Sequence, residues 1–207
     1  PDSFKGSLTS KNFCDTAESA LLERFPGLTV YKVPMADGGE GTVDAIVASL
    51  GGQRVSLLAA DPLGRPVEAT YGMLPGERAV IEMAAASGLP ILSLDERDPR
   101  KTTTFGTGQM ILDALDRGAR DISLAIGGSA TNDCGMGAMR ALGVRFLDAS
   151  GAELMGAGAD LALVAKVDLS GMDPRVAQTS FHVMCDVDNP LVGPRGATRT
   201  FGPQKGA

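Results

Sequence analysis

From Ile126 to Asp133 the chain reads Ile-Gly-Gly-Ser-Ala-Thr-Asn-Asp, which crowds two glycines, two hydroxyls, an amide and a carboxylate together. Gly127 and Gly128 let backbone amides approach a ligand closely. Ser129 and Thr131 donate hydrogen bonds to anionic oxygens. Asn132 and Asp133 add the amide and the carboxylate. The run follows an apolar segment, Asp121 to Ile126, that reads as a buried strand, and a helix is expected after it. A helix start would add free N–H groups and the positive end of a dipole. The loop therefore suits a phosphate or a carboxylate. The same residues also suit an ordinary tight turn between strand and helix.

Three further segments share this chemistry: Asp2-Ser3-Phe4-Lys5-Gly6-Ser7, the Asp37–Thr42 loop with Gly38, Gly39 and Glu40, and Asp186-Val187-Asp188-Asn189. A fifth, Phe201-Gly202-Pro203-Gln204-Lys205-Gly206-Ala207, offers a lysine in a glycine-bounded setting. The Asp37, Gly127 and Asp186 loops each follow a predicted strand. Ligands of α/β proteins bind beyond the carboxyl ends of strands, so these loops are expected to face one cavity. The inventory suits phosphoryl transfer, which needs Lys and Mg²⁺ for charge neutralisation, backbone donors for phosphate oxygens and a carboxylate near the attacking hydroxyl. Asp37, Glu40, Asp133, Asp186 and Asp188 are the candidate carboxylates, and Lys5 and Lys205 the candidate cations. Against each stands a plainer role: an Asp beside Gly is usually a turn residue, and a lone Lys is usually a solvated surface group.

Other chemistries fit poorly. No G-x-x-x-x-G-K-[ST] run occurs, and Gly106-Thr107-Gly108 and Gly156-Ala157-Gly158 lack the third Gly of a dinucleotide fingerprint. The H-R-D and D-F-G marks of protein kinases are missing. The single histidine, His182, sits in a predicted strand, which argues against a zinc cluster or a histidine-based triad. The three cysteines, Cys14, Cys134 and Cys185, form no C-x-x-C pair and fit a reducing cytoplasm. With 207 residues, 43% apolar content and 21% charged residues, the chain is globular. A net charge of −6 with dispersed Lys and Arg speaks against a nucleic-acid or anionic-membrane surface, though not against a small anionic substrate. No apolar run approaches a membrane span.

The elements that must position these loops follow from periodicity. Phe13, Ala17, Ala20 and Leu21 mark a helix that stops at Pro26-Gly27. Leu28 to Val33 reads as a strand. Thr42 caps a helix carrying Val43, Ile46, Val47 and Leu50, and Gln53 to Ala60 reads as a strand. Turn signals at Asp61-Pro62-Leu63-Gly64 and Pro75-Gly76 then bracket strands over Pro66–Leu74 and Arg78–Met83, an antiparallel element. This change of rhythm places a domain boundary near Asp61, dividing 1–60 from 61–207. After the Asp95–Thr104 loop, Thr107 is the expected cap of a helix over Met110, Ile111, Ala114 and Leu115. A strand to Ile126, the glycine loop and a helix to Leu142 complete another unit. Val144–Leu147 is short and extended. Gln178–Asp186 is a strand with Thr179, Phe181, Val183 and Cys185 on one face.

Five motifs in this order resemble the type I glycerate kinases: Pro1 to Leu8, Ala36 to Thr42, Ile126 to Asp133, Cys185 to Leu191, and Phe201 to Ala207. The resemblance covers essentially this whole chain and about the front half of the family's length. It implies ATP-dependent phosphorylation of D-glycerate with Mg²⁺ by direct in-line transfer. The implied fold is a two-domain α/β scaffold, a discontinuous Rossmann- or flavodoxin-like domain (1–60 its N-terminal part) plus an inserted mixed α/β domain. Within the motifs, Asp186, Asp37 and Lys5 are the expected catalytic residues. Asp2, Ser3, Gly38, Gly39, Glu40, Gly127, Gly128, Ser129, Thr131, Asn132, Asp133, Asn189 and Lys205 are the expected substrate- or phosphate-binding residues. Metal ligands are left open, as is homo-oligomerisation. The expected partner is the small-molecule substrate glycerate, with neither nucleic acid nor membrane. Alternatives are an Asp-dependent phosphate-handling hydrolase and a non-catalytic organic-anion-binding domain. The chain departs from the pattern in lacking a short apolar strand before Pro1, in lacking the C-terminal half, and in Cys134, where the family usually has Gly. The first two departures predict that residues 1–207 alone would be inactive and prone to aggregate. The third matters only if position 134 needs a positive φ.

Overall fold

The computed structural model describes residues 7–33, 39 and 41–207. Its centre is a sheet of β1 (Gln53–Ala60), β2 (Pro66–Leu74), β3 (Arg78–Glu82), β4 (Asp121–Ala125) and β7 (Ser180–Met184), in that order. β1, β2 and β3 form an antiparallel meander, whereas β4 and β7 continue the sheet parallel to β3. The turns that sequence marks at Gly64 and Gly76 both have positive φ, 84° and 78°, which Gly adopts without a Cβ penalty. The β1–β2 hairpin pairs Gln53 with Met73 through to Ala60 with Pro66, and so spans position 61.

Helices cover both faces. α2 (Thr42–Leu50) packs on Gly72 of β2, where any Cβ would lie 2.5 Å from Val47 Cγ2. α4 (Phe105–Asp116) covers the other face, with Met110, Ile111, Ala114 and Leu115 against Tyr71, Ile81 and Ile122. Alternation along the strands explains the division: Gly72 and Val80 are paired and point one way, Tyr71 and Ile81 the other. The buried Tyr71 keeps its hydroxyl satisfied by donating to Asp113 Oδ2 at 2.6 Å. Burial, reinforced by that carboxylate, pushes the phenol well above its ordinary pKa. Gly106 and Gly108, the incomplete fingerprint, are packing glycines, since a Cβ would stand 1.9 Å from Ala60 O and 2.4 Å from Ala138 O respectively. The remaining elements are α1 (Ser10–Arg24), α3 (Ala84–Ser87), α5 (Met136–Ala141), the β5 (Arg145–Leu147)–β6 (Lys166–Asp168) ribbon and α6 (Ala197–Phe201).

Three local expectations change, and β7 is shorter than the strand read over Gln178–Asp186. Leu28–Val33 forms no strand, because among the described residues no strand lies beside it to complete a ladder. The segment is tied instead to α1, with Lys32 bridging Asp15 at 2.8 Å and Glu18 at 2.6 Å. Thr42 is the first helical residue rather than the cap; Gly41, at φ 90°, precedes it, and the Thr42 hydroxyl donates to Gly39 O. Thr107 lies inside α4, where its hydroxyl meets that of Ser87 at 2.7 Å, and the helix starts after Thr104. β7 is an edge of the sheet among the described residues, so Val183 stays 58% exposed despite its apolar alternation.

Candidate functional site

One rung organises the site. Glu82, Ala125 and Met184 are paired across β3, β4 and β7 and close the parallel ladder. Gly127 and Asp186 each stand two residues beyond that rung, on neighbouring strands about 5 Å apart. The Gly39–Thr42 turn is drawn to the same end, because Glu82 Oε1 accepts the Val43 N–H at 2.6 Å at the start of α2. The Gly127 and Asp186 loops and the start of α2 thus lie at one end of the strands. Asp37, Gly38 and Glu40, and with them Asp2, Ser3 and Lys5, lie outside the described residues.

The glycine loop leaves β4 and docks on α3. Leu89 N–H donates to Gly128 O and Ala130 N–H to Ser87 O, which holds the loop in a short antiparallel bridge. Gly128 has φ 72° and is exposed. The amides of Gly127, Gly128 and Ser129 make no hydrogen bond to another described residue. Three successive unpaired amides at a strand end are suited to oxyanion binding.

Lys205 reaches this loop from a different part of the chain. Its Nζ donates to Ser129 Oγ at 2.8 Å and to Thr131 O at 2.6 Å. Burial lowers its pKa below the ordinary lysine value, and the nearby charge of Asp133 only partly opposes this. An ammonium has three N–H donors, so one remains for a ligand. Ser129, accepting from the lysine, keeps its own proton to donate. The segment bearing Lys205 is fixed by Asn132 Nδ2 donating to Thr198 Oγ1 at 3.0 Å. It is fixed also by Asn189 Nδ2 donating to Arg195 O and Thr200 Oγ1, at 2.9 and 3.2 Å. Asn132 and Asn189 therefore link two polar loops to the lysine motif.

Asp133 has a different place. It is 1% exposed, and its carboxylate accepts from the Thr104 N–H at 2.8 Å, the Thr104 hydroxyl at 2.7 Å and the Gly135 and Gly137 N–H groups at 3.1 Å. Thr104 Oγ1 in turn accepts from Ala138 N–H at 2.9 Å. The first amides of α5, which sequence reasoning offered to a ligand, are thus already satisfied inside the protein. Between them Cys134 has φ 51° and Gly135 φ 72°, so position 134 does require the left-handed conformation that glycine tolerates. Asp186 and Asp188, by contrast, are exposed and make no hydrogen bond or ion pair with another described residue.

Sequence reasoning missed one segment and one carboxylate. Residues 97–104, treated as a mere loop, run beside the glycine loop: Thr102 Oγ1 donates to Ala130 O at 3.0 Å, and Thr104 holds Asp133. The available signal was the run Thr102-Thr103-Thr104 directly before a helix, where hydroxyls bond backbone groups. Glu82 had no sequence signal, since only strand pairing puts it at the end of β3.

Fold and site together define a mixed α/β protein with polar loops at the carboxyl ends of parallel strands, one of them met by a half-buried lysine. The sequence profile of the glycerate kinase family matches residues 1–207, and the chain belongs to that family. It is 50% identical to a glycerate kinase of Bacillus subtilis (strain 168), covering 100% of this chain and 54% of the relative. It is 48% identical to a glycerate 2-kinase of Escherichia coli (strain K12), covering 100% and 55%. A crystal structure from Salmonella typhimurium LT2, provisionally designated glycerate kinase 2, superposes with a TM-score of 0.91 at 47% identity, covering 100% of this chain and 56% of that one. The chain spans about half the length of these relatives.

Proposed function

We propose that the protein bearing this chain is a glycerate kinase that transfers a phosphoryl group from ATP to a hydroxyl of D-glycerate in one in-line step. The observation that carries this reading is the meeting of Lys205 with Ser129 and Thr131 at the ends of the parallel strands, next to three unpaired amides. In this reading Gly127, Gly128, Ser129 and Lys205 bind an anionic oxygen of a substrate, with Thr131, Asn132 and Asn189 shaping the loop. Asp133 supports it from beneath. Asp186 orients the attacking hydroxyl, because it is an unpartnered carboxylate two residues past the common rung. Asp37 is the second choice for that role. Lys5, Asp2, Ser3, Gly38, Gly39 and Glu40 complete the substrate contacts.

Kinase sites hold Mg²⁺ through one or two carboxylates, substrate phosphates and water rather than an all-protein cage. Among the described residues no group of three or more His, Cys, Asp or Glu gathers as a metal site. Asp188, an exposed carboxylate without a partner among the described residues, would hold the ion, which when bound would neutralise phosphate charge. The surrounding scaffold is read as two α/β domains, the first Rossmann-like and discontinuous with its N-terminal part within 1–60; because the β1–β2 hairpin crosses position 61, β1 goes with the second. Three unpaired cysteines support a cytoplasmic setting. Among the described residues no helix is long and apolar enough to cross a membrane.

The test is ADP formation from ATP and Mg²⁺ with and without D-glycerate. Strict dependence on glycerate supports the kinase. Phosphate release without glycerate would favour a hydrolase instead, and glycerate binding without ADP formation would favour an organic-anion-binding domain.

A further inference from the structure

Arg97 belongs to none of the five motifs, yet it adjoins the lysine segment. Gly206, at φ 90°, lies so close to Arg97 that a Cβ there would be 2.0 Å from Arg97 O and 3.2 Å from Arg97 Cβ. The Arg97 side chain makes a single long hydrogen bond, from Nη1 to Gln204 O at 3.4 Å. Its Nε is buried and has no partner. The flanking carboxylates are committed elsewhere: Glu96 to Arg65, and Asp98 to Arg100 and Lys101 at 3.1 and 3.2 Å. Arg97 forms no ion pair among the described residues, although it is half-buried. Lys205 likewise bonds a hydroxyl and a carbonyl but no carboxylate.

The buried Nε–H of this half-buried guanidinium lacks an acceptor, which is costly unless a ligand supplies one. Its planar fork matches a carboxylate or a phosphate through paired N–H groups. Here two cations without ion-pair partners sit on adjoining segments, beside a loop with three unpaired amides. Residues 97–104 are themselves joined to that loop through Thr102 and Thr104. We propose that Arg97 is a second anion-binding side chain of this site, acting with Lys205 on a carboxylate or phosphate group of the bound substrate. The assignment rests on the glycerate kinase reading above.

The experiment uses Arg97→Lys, which keeps the charge and removes the fork, and Arg97→Gln, which removes both. KM is measured for D-glycerate and for ATP separately, together with kcat, so the two sources of the anion are distinguished. A charged hydrogen-bonding contact predicts a rise in one of the two KM values of roughly ten- to hundredfold in Arg97→Gln, with a smaller rise in Arg97→Lys. Thermal stabilisation by D-glycerate alone and by ATP alone is read on the same proteins. It should weaken for the ligand whose KM rose. Both KM values within twofold of wild type, with both stabilisations retained, would overturn the assignment. A wild-type protein that makes no ADP with glycerate would instead overturn the kinase reading, so the two failures are distinguishable.

Discussion

Replacing Asp133 by Ala separates an anchoring carboxylate from a ligand-binding one. Its Oδ2 accepts from the amides of Thr104 and Gly137 and from the Thr104 hydroxyl, while Oδ1 accepts from Gly135 N–H. Truncation leaves the Thr104 and Gly137 amides buried without an acceptor. The Thr104 hydroxyl is held by Ala138 N–H and is poorly placed to compensate. Each buried orphan donor costs about 1–3 kcal/mol, so the two amides predict a total loss of about 2–6 kcal/mol. Asp133→Asn keeps one oxygen but turns an NH₂ group toward an N–H donor, and should lose about 1–3 kcal/mol. The chain has no Trp, so unfolding in urea is best followed by far-UV circular dichroism. The substrate KM is measured on the same samples below the transition. A loss under about 1 kcal/mol in Asp133→Ala, accompanied by a collapse of substrate binding, would refute the anchoring argument and return Asp133 to the ligand.

Cys134→Gly should stabilise the protein by about 0.5–1 kcal/mol: relief of a left-handed Cβ is offset in part by the entropy of the unfolded glycine. A lowered melting temperature would contradict this. Lys205→Met should raise the KM of an anionic substrate and also expose the lysine's own linkage. The folded-state pKa of Lys205 is below its unfolded value, so the folded state binds fewer protons between the two. Wild-type stability relative to Lys205→Met should therefore rise as pH climbs toward the ordinary lysine pKa of about 10.4, and a flat difference across that range would count against it. Asp186→Asn should lower kcat by about 10²–10⁴-fold with little change in KM, and near-normal turnover would shift the role to Asp37.

The chain's periodicity was enough to locate α1, the β1–β2–β3 meander, β4 and β7, because each carries its pattern within itself and all but β7 are bounded by Pro or Gly. Motif chemistry nominated Ser129, Thr131, Asn189 and Lys205 as candidates, since their residue types are informative without knowing their neighbours. Leu28–Val33 shows the limit of that reading: its apolar and β-branched residues favour extension, but a strand exists only where another strand supplies the ladder. The same holds for Thr107, whose hydroxyl would suit a cap until packing against Ser87 placed it inside α4. The contacts that shape the candidate site join residues far apart in sequence. Lys205 reaches Ser129, Thr104 reaches Asp133, and Glu82 reaches Val43. No local pattern encodes these pairings, because they arise only when strands align on one rung and close-packed glycines let the segments meet. That is why Asp133 reads in sequence as a free carboxylate of a glycine loop and stands in the fold as a buried acceptor of four hydrogen bonds.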